Sequence, residues 1–152
     1  MKTILFSFCL LFACPVLSAV DAPVANTNPA LIYWQALMEL PDLSPAEQAL
    51  FDNFRNASLD RDYEALVYRY DFAFRLVAKA ANFKDRRCDW GIDLQDGPDT
   101  LLPHLARAKT CARAAQMRAR FFLHKKNEKQ VLSDLNGAFI LGRRLADRKS
   151  VV

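Results

Sequence analysis

From residue 28 onward, apolar residues recur at the three- and four-residue steps of a helix face, and no segment alternates strictly in the manner of a strand. The pattern predicts an all-α fold of about five helices. Asn28-Pro29 offers an N-cap followed by proline in the first turn. Leu31, Trp34, Leu37 and Met38 follow, with Tyr33 and Leu40 widening the face until Pro41 stops the helix. Ser44-Pro45-Ala46-Glu47 has the form of a capping box, and Leu50, Phe51 and Phe54 make a short helix ending near Asn56. Residues 60–82 read as one central helix. Leu66, Tyr70, Ala73, Val77 and Ala80 line one row, Val67, Phe74, Ala78 and Ala81 a second, and Phe72 and Leu76 lie off both.

Residues 83–99 break the pattern with Gly91, Gly97 and Pro98. A helix is expected over 100–124, with Thr100 as N-cap and a stripe of Leu101, Leu105, Ala108, Ala112, Ala115, Ala119 and Phe122; Arg107, Arg113, Arg118 and Arg120 lie off that stripe. After Lys125-Lys126-Asn127 a last helix runs over 128–146. Val131, Leu135, Ala138, Gly142 and Leu145 share its expected core face, with Leu132 and Phe139 beside them. Glycine costs about 1 kcal/mol relative to alanine inside a helix, so close packing is the expected reason for Gly142. The last two helices make an antiparallel pair.

Residues 1–19, MKTILFSFCLLFACPVLSA, place Lys2 before an apolar run and a small residue, Ala19, after it. That is the order of a secretory signal peptide. The run is about 14 residues, short of the ~20 that a membrane span needs. An uncleaved N-terminal anchor is the alternative. Leu11-Phe12-Ala13-Cys14 loosely resembles a bacterial lipobox, which Phe12 and Pro15 fit poorly. Residues 20–27 read as a linker, 28–147 as a single helical domain and 148–152 as a polar tail.

The chain has 152 residues and a net charge of +4, of a size for one domain. With 52% hydrophobic and 11% aromatic residues it is not a disordered chain. Its charge is unevenly placed. Residues 20–100 carry 8 Lys/Arg against 14 Asp/Glu, whereas residues 101–152 carry 12 against 3. Such a basic half raises the question of nucleic acid, which an exported protein rarely meets. The readings left are that the halves attract each other, that the basic faces are simply solvated, or that the basic half meets an acidic envelope component or membrane surface.

After signal removal Cys88 and Cys111 are the remaining cysteines, a candidate disulfide outside the cytosol or else two thiols. Trp90 beside Gly91 is either a plug for the open end of a helical core or a platform for a ligand. Asp89, Asp93, Asp96 and Asp99 are four carboxylates in one stretch, but they lack the alternation and closing glutamate of a calcium loop, so turn and capping roles are expected. His104 and His124 stand about 30 Å apart along one helix and cannot share a site. His104 could meet Asp89 or Cys88, and Cys88 with His104 is the one thiol–imidazole pair, without a recognisable catalytic context. The chain has no P-loop, no dinucleotide-binding glycine pattern, no G-x-S-x-G and no H-E-x-x-H. No catalytic, cofactor-binding or metal-ligating residue is assigned.

Asn28-Pro29-Ala30-Leu31-Ile32-Tyr33-Trp34-Gln35-Ala36, together with Cys88-Asp89-Trp90-Gly91 and Leu101-Leu102-Pro103-His104-Leu105, resembles a group of uncharacterised exported bacterial proteins of planctomycete type. The resemblance implies a bacterial envelope protein with a helical C-terminal third and brings no activity with it. It also weighs against use of Asn56-Ala57-Ser58 as a glycosylation acceptor. The stretch RARFFLHKKNEKQVLSDLNGAFILGRRLA loosely resembles a tetratricopeptide unit, with Asn127 where such units often have glycine. The expected function is binding of another envelope macromolecule, with Trp90, Arg113, Arg118 and Arg120 as candidate contacts. The alternative is a self-associating structural protein, and an enzyme using the Cys88/Asp89/His104 region ranks third. Membrane contact would come only through an uncleaved N-terminal segment.

Overall fold

The computed structural model describes residues 28–83, 88–91 and 102–146. The expectations for the signal, the linker, Asp93, Asp96, Asp99, Thr100 and the tail lie outside these residues. Among the described residues the fold is all helical: α1 (Pro29–Met38), α2 (Pro45–Asp52), α3 (Arg61–Arg69), α4 (Asp71–Ala81), α5 (Leu102–His124) and α6 (Glu128–Ala146). No helix among them is long and apolar enough to cross a membrane.

The helix starts follow the sequence. Asn28 Oδ1 accepts from the Ala30 amide at 3.0 Å. Around Ser44 the capping box closes, with the Ser44 amide donating to Glu47 Oε2 at 2.8 Å and the Glu47 amide to Ser44 Oγ at 3.4 Å. Asp60 Oδ1 takes the Asp62 and Tyr63 amides and starts α3.

The helix expected over 60–82 is two helices, broken at Tyr70. The Val67 carbonyl accepts from the Tyr70 amide at 3.2 Å and from Arg118 Nη1 at 2.8 Å. The guanidinium therefore supplies a donor where the helical ladder is interrupted, and it also bonds Asp71 in the first turn of α4 at 2.6 Å. Tyr70 is fully buried at the joint and stacks on Phe51.

Helices α5 and α6 pair as an antiparallel hairpin; α4 packs between α1 and α6, and α3 lies against α5. One core joins them, built from Tyr33, Leu37, Tyr63, Leu66, Val67, Phe74, Val77, Met117, Phe121 and Leu141 among others. Where α6 crosses α4 the glycine of close approach is Gly137: a Cβ there would lie 2.9 Å from Val77 Cγ1. At Gly142 a Cβ would meet nothing within 4 Å, so the packing role expected for Gly142 belongs to Gly137.

The inner faces of the hairpin match the expected stripes only in part: Ala115, Ala119 and Phe122 are buried, and Val131, Ala138 and Leu145 pack against the core. On α6 the buried residues are Asp134, Gly137, Leu141 and Arg144, while Leu132, Leu135, Phe139 and Gly142 are exposed. On α5, Leu105 and Ala112 are exposed and the core takes Cys111, Ala114, Ala115, Met117, Arg118 and Phe121. Arginine and aspartate read as surface residues in a pattern of hydrophobicity. Here they are inside because each finds its partners there.

Candidate interaction surface

The basic half of the chain is fastened to the acidic half by arginines at helix ends. The last turns of a helix leave carbonyls without intrahelical donors and carry the negative end of its dipole, so a guanidinium is favoured there. Arg107 donates to the Leu37 and Leu40 carbonyls at the end of α1, at 3.3 and 3.5 Å. Arg113 donates to the Asp52 carbonyl at the end of α2 and pairs with its carboxylate at 3.1 Å. Arg120 reaches the Phe54 carbonyl just beyond, at 2.7 Å. Arg118 serves α3 through Val67, and Arg144 serves α4 through the Ala80 and Phe83 carbonyls at 2.7 and 3.2 Å. Each of the four short helices thus ends on an arginine from the hairpin.

This arrangement corrects the expected basic contact face. Arg118 is 1% exposed and lies between the Phe74 and Phe122 rings, with its carbon Cζ 4.7 and 5.1 Å from their centroids. It pairs with Asp134 at 2.8 Å as well as with Asp71, and Gln130 donates to the second Asp134 oxygen at 2.8 Å. Burial raises the carboxyl pKa of Asp134, an effect that Arg118 opposes. Arg113 and Arg120 sit over Phe51 and Tyr63. Arg113 and Arg120 both serve the end of α2, whereas Arg118 points into the break between α3 and α4.

The two distinctive motifs meet at one end of the helices. Asn28 Nδ2 donates to the Asp89 carbonyl and Asn28 Oδ1 accepts from the Asp89 amide at 3.2 Å, so the cap of α1 is also a bridge to residues 88–91. Asp89 Oδ1 accepts from the Gly91 amide at 2.9 Å, and Gly91 takes the left-handed φ of 62° that glycine tolerates. Trp90 stacks on Tyr33 and meets Trp34 edge to face, both at 5.9 Å. Its indole N–H donates to the Arg144 carbonyl at 3.1 Å, and its own carbonyl accepts from the Trp34 indole at 3.4 Å. With both polar ends engaged inside the fold, Trp90 sits as a plug. His104 packs edge-on against Trp34 at 3.9 Å.

Cys88 and Cys111 are both buried, and no bond joins the two sulfurs. Burial pushes the Cys88 thiol up to about 11, with Arg144 opposing and Asp89 adding to the shift. Burial likewise pushes Cys111 to about 12. A nucleophilic cysteine needs the opposite displacement. Among the described residues no three His, Cys, Asp or Glu side chains gather as a metal site.

What the fold leaves open is the outer face of the α5–α6 hairpin. Along α6, Leu132 and Phe139 are 69% and 64% exposed, Leu135 is 41% exposed, and Gly142 continues the same line. Along α5, Leu105, Ala112 and Leu123 are exposed. A groove of about 500 Å³ runs between the helices at one end, lined by Leu105, Ala108, Lys109, Gly142, Leu145 and Ala146. Singly exposed leucines are ordinary, but aligned apolar residues on two neighbouring helices mark a contact surface. Leu105, Ala112, Leu135 and Gly142 belong to the expected core stripes, because helical spacing gives a stripe without saying which side is covered. No family profile, curated protein or solved structure matches this chain.

Proposed function

We propose that the chain is an exported, non-catalytic interaction protein of the bacterial cell envelope whose contact surface is the outer face of α5–α6. The observation that carries this reading is the row Leu132, Leu135, Phe139 and Gly142 on α6, apolar and open beside Leu105, Ala112 and Leu123 on α5. A two-helix face of this kind binds by apolar burial at its centre. The charged residues once expected to attract a partner are largely occupied within the fold, which moves the weight from charge to this face.

Export rests on the order of charged, apolar and small residues in positions 1–19. The test is cross-linking in the envelope of the native host, followed by affinity capture and mass spectrometry, with Phe139→Lys and Leu132→Lys beside the wild type. Met38→Lys, at a site 70% exposed on α1, serves as control. A partner that both hairpin variants lose and the control keeps supports the reading. Equal capture by all four proteins overturns it.

A further inference from the structure

We propose that this open face closes on a second copy of the chain, α6 against α6 and antiparallel about a two-fold axis, so that Leu132 of each copy seats at Gly142 of the other. The inference rests on the reading of the hairpin face as the contact surface and names its occupant.

The first argument is one of shape. Leu132, Leu135, Phe139 and Gly142 are spaced by 3, 4 and 3 residues, so they form one stripe about 15 Å long at 1.5 Å per residue. Their middle is level with residue 137. A two-fold axis there sets Leu132 against Gly142 and Leu135 against Phe139, each pair occurring twice. The largest gap in the stripe thus faces a projecting leucine. A parallel pairing would set glycine against glycine and phenylalanine against phenylalanine, leaving a void at one end and a collision in the middle.

Among the described residues the notch at Gly142 has no packing use. A Cβ at Gly142 would find nothing within 4 Å, so no internal contact requires glycine there, although glycine costs about 1 kcal/mol relative to alanine. Gly142 also lines the groove that Leu105, Ala108 and Leu145 help to wall, which gives an incoming leucine an apolar socket.

The second argument is one of charge. Glu128 and Arg143 are exposed at opposite ends of the stripe, and neither belongs to an ion pair among the described residues. The same axis brings Arg143 level with residue 131 of the other copy, one turn from Glu128. Two such pairs form per dimer, and they set direction and register more than affinity. A parallel dimer would bring Glu128 beside Glu128 and Arg143 beside Arg143.

The test uses the full chain in two measurements. Light scattering over a concentration series should show monomer passing to dimer. Glu128→Arg should raise the dissociation constant roughly tenfold or more, and adding Arg143→Glu to it should recover most of the loss. The second measurement is disulfide trapping under mild oxidation. In Leu132→Cys with Gly142→Cys, the introduced thiols are about 15 Å apart within one helix and can pair only across the axis. That double variant should yield covalent dimer, and either single variant should not exceed the wild type. A monomer at every concentration overturns the proposal, as does a dimer that the double variant traps no better than the singles. If the wild type stays monomeric while Phe139→Lys and Leu132→Lys still lose a captured envelope protein, the face has a different occupant and its reading as a contact surface stands.

Discussion

Arg118 is a charged group cut off from water, and its surroundings compensate for the loss of solvation. Two carboxylates, one backbone carbonyl and two aromatic faces share its positive charge. Removing one partner of a buried pair strands the other, at about 3–5 kcal/mol. Asp134→Leu leaves Arg118 with Asp71 and the Val67 carbonyl, so it should lower stability by up to that amount in urea unfolding. Arg118→Met combined with Asp134→Leu should recover much of the loss, since apolar residues of similar volume fill the site without desolvated charge. Glu47 presents the contrasting surface case. Hydrogen bonding from Arg69, then from the Ser44 amide, lowers its pKa from 4.5 to about 2. A carboxyl depressed in the folded state contributes stability above its unfolded pKa, and that contribution is lost as pH falls toward about 2. Urea midpoints of the wild type and Glu47→Gln should thus differ at pH 6 and converge near pH 2, in favour of the wild type at the higher pH. A constant difference would refute this role for Glu47.

Among the elements, ends were far more legible in the sequence than faces. Asn28-Pro29 and the box from Ser44 to Glu47 announce their helices because a cap is a local arrangement, complete within four residues. The break at Tyr70 is not announced, since the donor that satisfies the interrupted ladder comes from Arg118, 51 residues away from Val67. For the same reason the face of α6 is legible only in part: Val131, Ala138 and Leu145 pack against the core as expected, but Leu135 and Gly142 are exposed and the buried row passes through Asp134 and Arg144, whose partners lie in α5 and α4. The α5–α6 turn shows a third kind of gap. Lys126 takes a φ of 57°, the conformation that glycine tolerates best, whereas the likeness to a tetratricopeptide unit points to Asn127. Asn127 has a different task, accepting the Gln130 amide at 3.2 Å to start α6. Lys126→Gly should therefore raise stability by about 1 kcal/mol in thermal unfolding, and Asn127→Gly should not.

For the whole molecule, the division into an acidic and a basic half is resolved internally. Arginines of the hairpin hold the ends of α1, α2, α3 and α4, and ion pairs from Arg113, Arg118 and Lys125 reinforce the seam. Of the candidate contacts read from the sequence, Trp90, Arg113, Arg118 and Arg120 all turn out to fasten parts of the fold to one another, whereas the open face includes residues of the expected core stripes. Trp90 joins the start of α1 to the end of α6 through Tyr33, Trp34 and the Arg144 carbonyl. Trp90→Ala should lower stability by about 3 kcal/mol in thermal unfolding. A variant that keeps its melting temperature would show that the indole holds nothing together.

The cluster around Trp90 also joins residues that are far apart in the chain. Tyr33 lies in the first described helix, Cys88 and Trp90 between α4 and α5, and Arg144 in the last turn of α6; Arg144 touches the Tyr33 ring and donates to the Ala80 carbonyl. A polypeptide delivered from its N-terminus has no means of closing that cluster until nearly all of it has emerged. Its early helices are short, and isolated helices of 8 to 11 residues are marginal in water. The contacts of the cluster thus tie the first, middle and last described parts of the chain together and are complete only with α6 in place.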